Sequence, residues 1–217
     1  MQKYHVGKHI LQVGVIGSAG TEEYHKGYQH PRGYLEVGFM LGQLLGKEGA
    51  TVITGGEGGL MAAVEKGVKK YHGITVGIFK SLYDISYDVY SDIDVVTEMG
   101  EGGPEYILPM CCNVIISIGG GAGTLNEICV AYRNKVPVIL LRGFDGWTDK
   151  LADSLYKNHY LDVRERTKFE VVNNPEDAAK MAIKIGKKHL RDLLYKSRLI
   201  VQKRKFIHFG KKRRIKE

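Results

Sequence analysis

The stretch Gly119-Gly-Gly-Ala-Gly-Thr-Leu-Asn-Glu127, directly after the apolar run Val114-Ile-Ile-Ser-Ile118, constrains the fold of this chain more than any other feature. An uncharged apolar run reads as a strand buried on both faces. The glycines then make a turn with almost no side chains, and a helix is expected to open at Thr124. Such a turn bares backbone N–H groups at a helix N-terminus, where the macrodipole favours an anion. Glycine lets the backbone approach a phosphate without a Cβ in the way. Gly119, Gly120, Gly121, Gly123 and Thr124 are therefore the expected phosphate contacts.

The rest of the chain repeats the strand-then-helix pattern. Strands are expected at Leu11–Gly17, Thr51–Thr54, Ile74–Phe79, Ile93–Thr97, Pro137–Leu141 and Phe169–Val172. Helices are expected at Tyr34–Lys47, Gly59–Tyr71, Glu105–Cys112, Thr124–Arg133 and Trp147–Lys157, and another after the cap-like Asn174-Pro-Glu-Asp177. Continuous strand hydrophobicity between helices means an α/β class, with a doubly wound, mostly parallel, Rossmann-like sheet. Ligands of such sheets sit at the carboxyl ends of strands. That rule selects two more glycine loops, Gly17-Ser-Ala-Gly20 and Thr54-Gly-Gly-Glu-Gly-Gly59. Gly17, Ser18, Thr54, Gly55, Gly56 and Gly59 join the candidate ligand contacts. Each loop also admits a plainer reading, as a tight turn with no ligand.

These residues resemble the LOG-like (SLOG) superfamily, formerly described as lysine decarboxylase-like. The likeness rests on Val15-Ile-Gly-Ser18, Thr54-Gly-Gly56 with Gly59-Leu-Met61, and Gly119–Glu127 in that order, and spans roughly Leu11 to Leu190. The family's leading proline is replaced here by Gly119, as in its uncharacterised family-1 branch. The superfamily includes cytokinin-activating phosphoribohydrolases, a molybdenum-cofactor carrier and, more distantly, the DprA DNA-processing proteins. The resemblance implies a Rossmann-like domain over residues 1–190, a homo-oligomer (dimer or tetramer), and a site for a nucleoside monophosphate or related phosphorylated ligand. In the enzymes the phosphate rests on the counterpart of residues 120–124, and the glutamate at Glu127 assists departure of the base from the ribose. Amino-acid decarboxylation normally needs pyridoxal phosphate on a lysine as electron sink, and no motif marks such a lysine.

One departure bears on chemistry. The hydrolases carry an arginine at the start of the helix before the glycine motif, and the matching position is Pro104, beside Glu105. No lysine or arginine stands between Lys80 and Arg133; Asp84, Asp88, Asp92, Asp94, Glu98, Glu101, Glu105 and Glu127 fill the interval instead. Loss of one fixed charge-stabilising donor typically costs about 10²–10³ in rate. The expectation is therefore ligand binding first, with N-glycosidic hydrolysis as the alternative. A divalent ion such as Mg2+ bridging the acids to a phosphate is a further option, set against a solvated acidic face; no motif marks a resident metal. Glu127 has two readings as well, a ligand-facing or catalytic role and a capping box with Gly123 or Thr124. Gly143-Phe-Asp-Gly-Trp-Thr148 resembles the family's Asp-Gly-Tyr/Trp turn near the site, or is a helix start with a buried tryptophan. His25 and His30, with Tyr24 and Tyr28, either flank a ligand or belong to a solvated loop.

Charge is divided along the chain. Residues 184–217 hold 14 Lys/Arg against 2 Asp/Glu, while the remainder holds 18 against 22. The basic extension, set at residues 191–217, interleaves Phe206 and Phe209 with cations, which suits nucleic acid, an anionic membrane surface or a solubilising role. Cys111, Cys112 and Cys129 show no framework spacing and read as small buried thiols. The N-terminus lacks a signal-peptide pattern, and no apolar run reaches the roughly 18–20 residues of a membrane span, so cytoplasmic residence is expected.

Overall fold

The computed structural model describes residues 10–20, 31–56, 58–83 and 90–213, with side chains as far as residue 197. The histidines and tyrosines of the 21–30 loop, Asp84, Asp88, and the side chains of Phe206 and Phe209 lie outside them. The elements run β1 (Gln12–Gly17), α1 (Tyr34–Lys47), β2 (Thr51–Thr54), α2 (Gly59–Lys69), β3 (Thr75–Phe79), β4 (Ile93–Val96) and α3 (Gly103–Met110). They continue with β5 (Val114–Ile118), α4 (Ala122–Arg133), β6 (Val138–Leu141), α5 (Gly146–Ser154), β7 (Phe169–Val172) and α6 (Pro175–Arg213).

The seven strands among the described residues form one sheet in the order β4-β3-β2-β1-β5-β6-β7, with every pairing parallel. The chain steps outward from β1 to β4, returns through α3, and lays β5 against the other side of β1. Adjacent strands β1 and β5 thus lead away in opposite directions, and the crevice between their carboxyl ends is where ligands of open α/β sheets bind. In register, Gly17 stands beside Ile118, so both glycine loops leave the sheet at the same height.

Alternation of side chains along each strand sends Val13, Val15, Val114 and Ile116 to one face, under Leu41, Leu45, Leu60, Val64, Ala178 and Ala182 of α1, α2 and α6. Ile16, Ile53, Ile115 and Leu140 face the other way, under Leu108 of α3 and Ile128, Ala131 and Tyr132 of α4. Leu35, at the start of α1, is exposed. The contact stripe of α1 is Gly38, Gly42 and Gly46, one residue per turn, which lets α2 approach at backbone distance. A Cβ on Gly42 would lie 1.9 Å from the Val64 carbonyl oxygen, and one on Gly67 of α2 would lie 2.1 Å from that of Phe39.

Helix α6 opens on Asn174, whose Oδ1 accepts the Asp177 N–H at 2.8 Å. It then runs unbroken past residue 191, so no break in secondary structure marks the expected start of the basic extension. Among the described residues no helix is long and apolar enough to cross a membrane.

Gly42→Ala is expected to force α1 and α2 apart and lower unfolding free energy by about 1–3 kcal/mol. Urea denaturation followed by circular dichroism reads this directly.

Candidate functional site

The turn after β5 is built by assigning its carbonyls and amides to different partners. Gly119 and Gly120 take φ values of +60° and +87°, a region that favours glycine. Their carbonyl oxygens point to the N-terminus of α5. Gly119 O accepts from the Thr148 N–H at 3.1 Å and the Thr148 hydroxyl at 2.8 Å, and Gly120 O accepts from the Trp147 N–H at 2.9 Å. Ser117 Oγ lies 2.6 Å from Thr148 Oγ1 and ties the same knot to β5. A Cβ on Gly146 would sit 2.5 Å from Gly120 O, so this contact also requires a bare α5 start.

With the carbonyls held on one side, the amides of α4 face the other. The first intrahelical bond runs from the Leu125 N–H to Gly121 O at 3.1 Å, and no side chain caps the helix. The N–H groups of Ala122, Gly123 and Thr124 precede that bond. They form the donor end of a twelve-residue helix, where the dipole adds to their attraction for an anion. The helix opens at Ala122 and not at Thr124. Glu127 consequently falls in the second turn, as the sixth helical residue, beyond the N3 position that a capping box requires, and the capping reading is excluded.

Two hydroxyls join the loops of β1 and β5. Tyr34 OH, fully buried, accepts the Ser18 N–H and donates to Ile118 O, each at 2.8 Å. Thr124 Oγ1 donates to Gly17 O at 3.3 Å, so that hydroxyl links the loops where phosphate contact was expected. The second glycine loop is held similarly. Thr54 Oγ1 donates to the buried carboxylate of Glu65 and accepts the Gly56 N–H at 3.1 Å. Ser18 O takes the Leu60 N–H of α2 at 3.3 Å, so that helix start is already engaged by protein.

Above the switch point lies a cavity of about 350 Å³, a size suited to a small ligand. Of the sequence-derived candidates, Gly17, Ser18, Gly55, Gly121, Gly123, Thr124 and Glu127 line it. Thr54, Gly56, Gly59, Gly119 and Gly120 do not, and they act one layer back. Gly56 lies under the Phe79 ring, where a Cβ would meet the ring at 2.4 Å, and Gly59 abuts Ala19 O. Pro104, at the position of the hydrolases' arginine, and Glu101 and Glu105 of the acidic interval also line the cavity, whereas sequence reasoning missed Lys80. Lys80 immediately follows β3, so the rule that ligands sit at strand carboxyl ends could have found it. Glu105 Oε2 is shielded from solvent and has no hydrogen-bond partner among the described residues.

The family model described as the SLOG cluster4 family matches residues 10–179. The chain belongs to that family. An uncharacterised protein of Archaeoglobus fulgidus is 32% identical to this SLOG protein over 133 residues, covering 61% of this chain and 81% of the relative. The structural-genomics target TM1055 is 32% identical, with a TM-score of 0.74 over 81% of this chain and 99% of that one. The molybdenum cofactor binding protein from Rippkaea orientalis is 30% identical, with a TM-score of 0.66 over 82% and 98%.

Among the described residues of this SLOG protein no three His, Cys, Asp or Glu side chains group to hold an ion. Asp92 pairs with Lys69 and accepts the Thr75 N–H at 2.8 Å, and Glu98 Oε1 accepts the Leu82 N–H at 2.9 Å. Burial pushes Cys112 well above the usual thiol range, with the charges of Cys111 and Glu127 adding to it, and burial also raises Cys111 and Cys129. Only Cys112 is fully buried; the other two are half-buried. Trp147 is not buried either, and Lys150 Nζ sits 5.2 Å from its ring centroid.

Tyr34→Phe leaves the Ser18 N–H and Ile118 carbonyl without their shared hydroxyl, at about 1–3 kcal/mol per unpaired buried group. Chemical denaturation is expected to show that loss, and amide exchange should rise at Ser18 first.

Proposed function

We propose that the protein binds a small phosphorylated ligand, a nucleotide or phosphorylated cofactor, with the phosphate on the amides of Ala122, Gly123 and Thr124. Gly121 carries this reading. Its φ of −101° is open to any residue, a Cβ there would have nothing within 4 Å, and it is exposed at the cavity wall. Neither backbone conformation nor packing requires glycine at this position. Its bare Cα keeps the approach to the amides clear.

The opposite character of the remaining wall supports a ligand with donors as well as a phosphate. Glu105 and Glu127 present carboxylates, and the unpartnered Glu105 Oε2 suits a hydroxyl or amino group such as a ribose or heterocycle offers. A relative that binds the molybdenum cofactor is consistent with a ligand of this size. Hydrolysis of nucleoside 5′-monophosphates is the alternative, favoured by Glu127 lining the cavity that holds the cradle. Release of ribose 5-phosphate from AMP, lost in Glu127→Ala, would add catalysis to binding. Association of the basic residues 184–217 with nucleic acid is a separate reading. It requires that truncation after Ile200 flatten the salt dependence of RNA or DNA binding.

Gly121→Val is the sharpest test of the cradle. Valine is a poorer N-cap than glycine, so the variant is expected to fold but to melt slightly below the parent without ligand. In a thermal-shift series with AMP, GMP, CMP and IMP it should lose the stabilisation the parent shows. Equal stabilisation of parent and variant would refute the cradle.

A further inference from the structure

Lys80 sits where its charge is costly unless it is used. Its side chain is only 19% exposed, and among the described residues it is the one cation that lines the cavity. Its Nζ donates to Glu101 Oε1 at 2.8 Å. Glu101 lies on the turn before α3 and is 82% exposed, so the two halves of the pair are unequal. The lysine is fixed at the end of a strand and largely desolvated. The contact to Glu101 is made with an exposed carboxylate that water can solvate equally well.

An exposed carboxylate gains little from such a pair, typically about 0–1 kcal/mol. A phosphate offers more charge and three acceptor oxygens, and charge-assisted bonds to it are among the strongest available. The cavity already has donors for a phosphate at the start of α4. It has three carboxylates, Glu101, Glu105 and Glu127, that would repel one, and no lysine or arginine occurs from residue 81 to residue 132 to offset them. An anionic ligand in this cavity therefore needs Lys80, whose ammonium is hydrogen-bonded to Glu101.

We infer that Lys80 is the cationic anchor for the ligand's phosphate and that Glu101 is its exchangeable counter-ion, displaced when ligand enters. This rests on the reading that the cavity takes a phosphorylated ligand. It adds a consequence that reading lacks: Glu101 competes with the ligand, so the empty protein carries a built-in opponent of its own binding. Removing the lysine and removing the glutamate must then act in opposite directions. If the pair only braced α3 against β3, both substitutions would break it and act alike.

Isothermal titration with AMP, GMP, CMP and IMP, each set against its nucleoside, separates the cases. Lys80→Met is expected to weaken nucleotide binding about ten- to a hundredfold and leave nucleoside binding unchanged, with Lys80→Arg restoring most of it. Glu101→Gln is expected to tighten nucleotide binding about two- to fivefold. Melting temperatures of the free variants confirm that each is folded. An unchanged nucleotide-to-nucleoside preference in Lys80→Met, or weakening by both Lys80→Met and Glu101→Gln, overturns the anchor while leaving the cradle standing. Failure of the wild-type protein to prefer any nucleotide over its nucleoside overturns the phosphorylated-ligand reading, and the anchor with it.

Discussion

The site depends on where the carbonyls of Gly119 and Gly120 go. A loop that bares amides toward a ligand must send its carbonyls elsewhere, because a buried unpaired carbonyl is costly. Here they are received by the N-terminus of α5, through the Trp147 and Thr148 amides and the Thr148 hydroxyl. Two helix starts thus face one turn from opposite sides. The α5 start is consumed by the turn, and the α4 start is released by it. The buried Ser117–Thr148 contact fixes the arrangement to β5 itself.

The same economy of hydroxyls couples the rest of the crevice. Tyr34 and Thr124 each connect the β1 side to the β5 side, so the two loops at the switch point are tied to each other. Thr54 and Glu65 set the neighbouring loop from behind. The cavity that results has backbone on one wall and carboxylates on another, with Lys80 lining it at the end of β3. In the proposed reading, the backbone wall takes an anion and the carboxylates accept from a polar ligand body.

Much of this was legible in the sequence. The class, the parallel sheet, and the exact spans of α1, β2, β5 and β7 follow from hydrophobic periodicity bounded by glycine and proline. The glycine loops were placed at the correct sheet edge because that edge follows from βα order alone. What periodicity cannot show is which groups a loop spends on its neighbours. Thr124 was expected to touch phosphate through its hydroxyl and N–H; the hydroxyl donates to Gly17 O, and the carbonyls of Gly119 and Gly120 are received by α5, partners that periodicity does not reveal. The start of α4 was placed two residues late because glycine and alanine give no capping signal. Lys80 was overlooked because its neighbours in the cavity come from β1, α3 and α4, far away in sequence. The glycine stripe of α1 was hidden because its close contact belongs to a pair of helices, not to either one.

The most direct measurement is amide NMR of the ¹⁵N-labelled protein titrated with AMP. The account requires saturable shifts concentrated at the N–H groups of Ala122, Gly123 and Thr124, with the Trp147 and Thr148 amides little changed because their carbonyl partners stay in place. Shifts confined to α6, or spread over the surface without saturating at the start of α4, would contradict it.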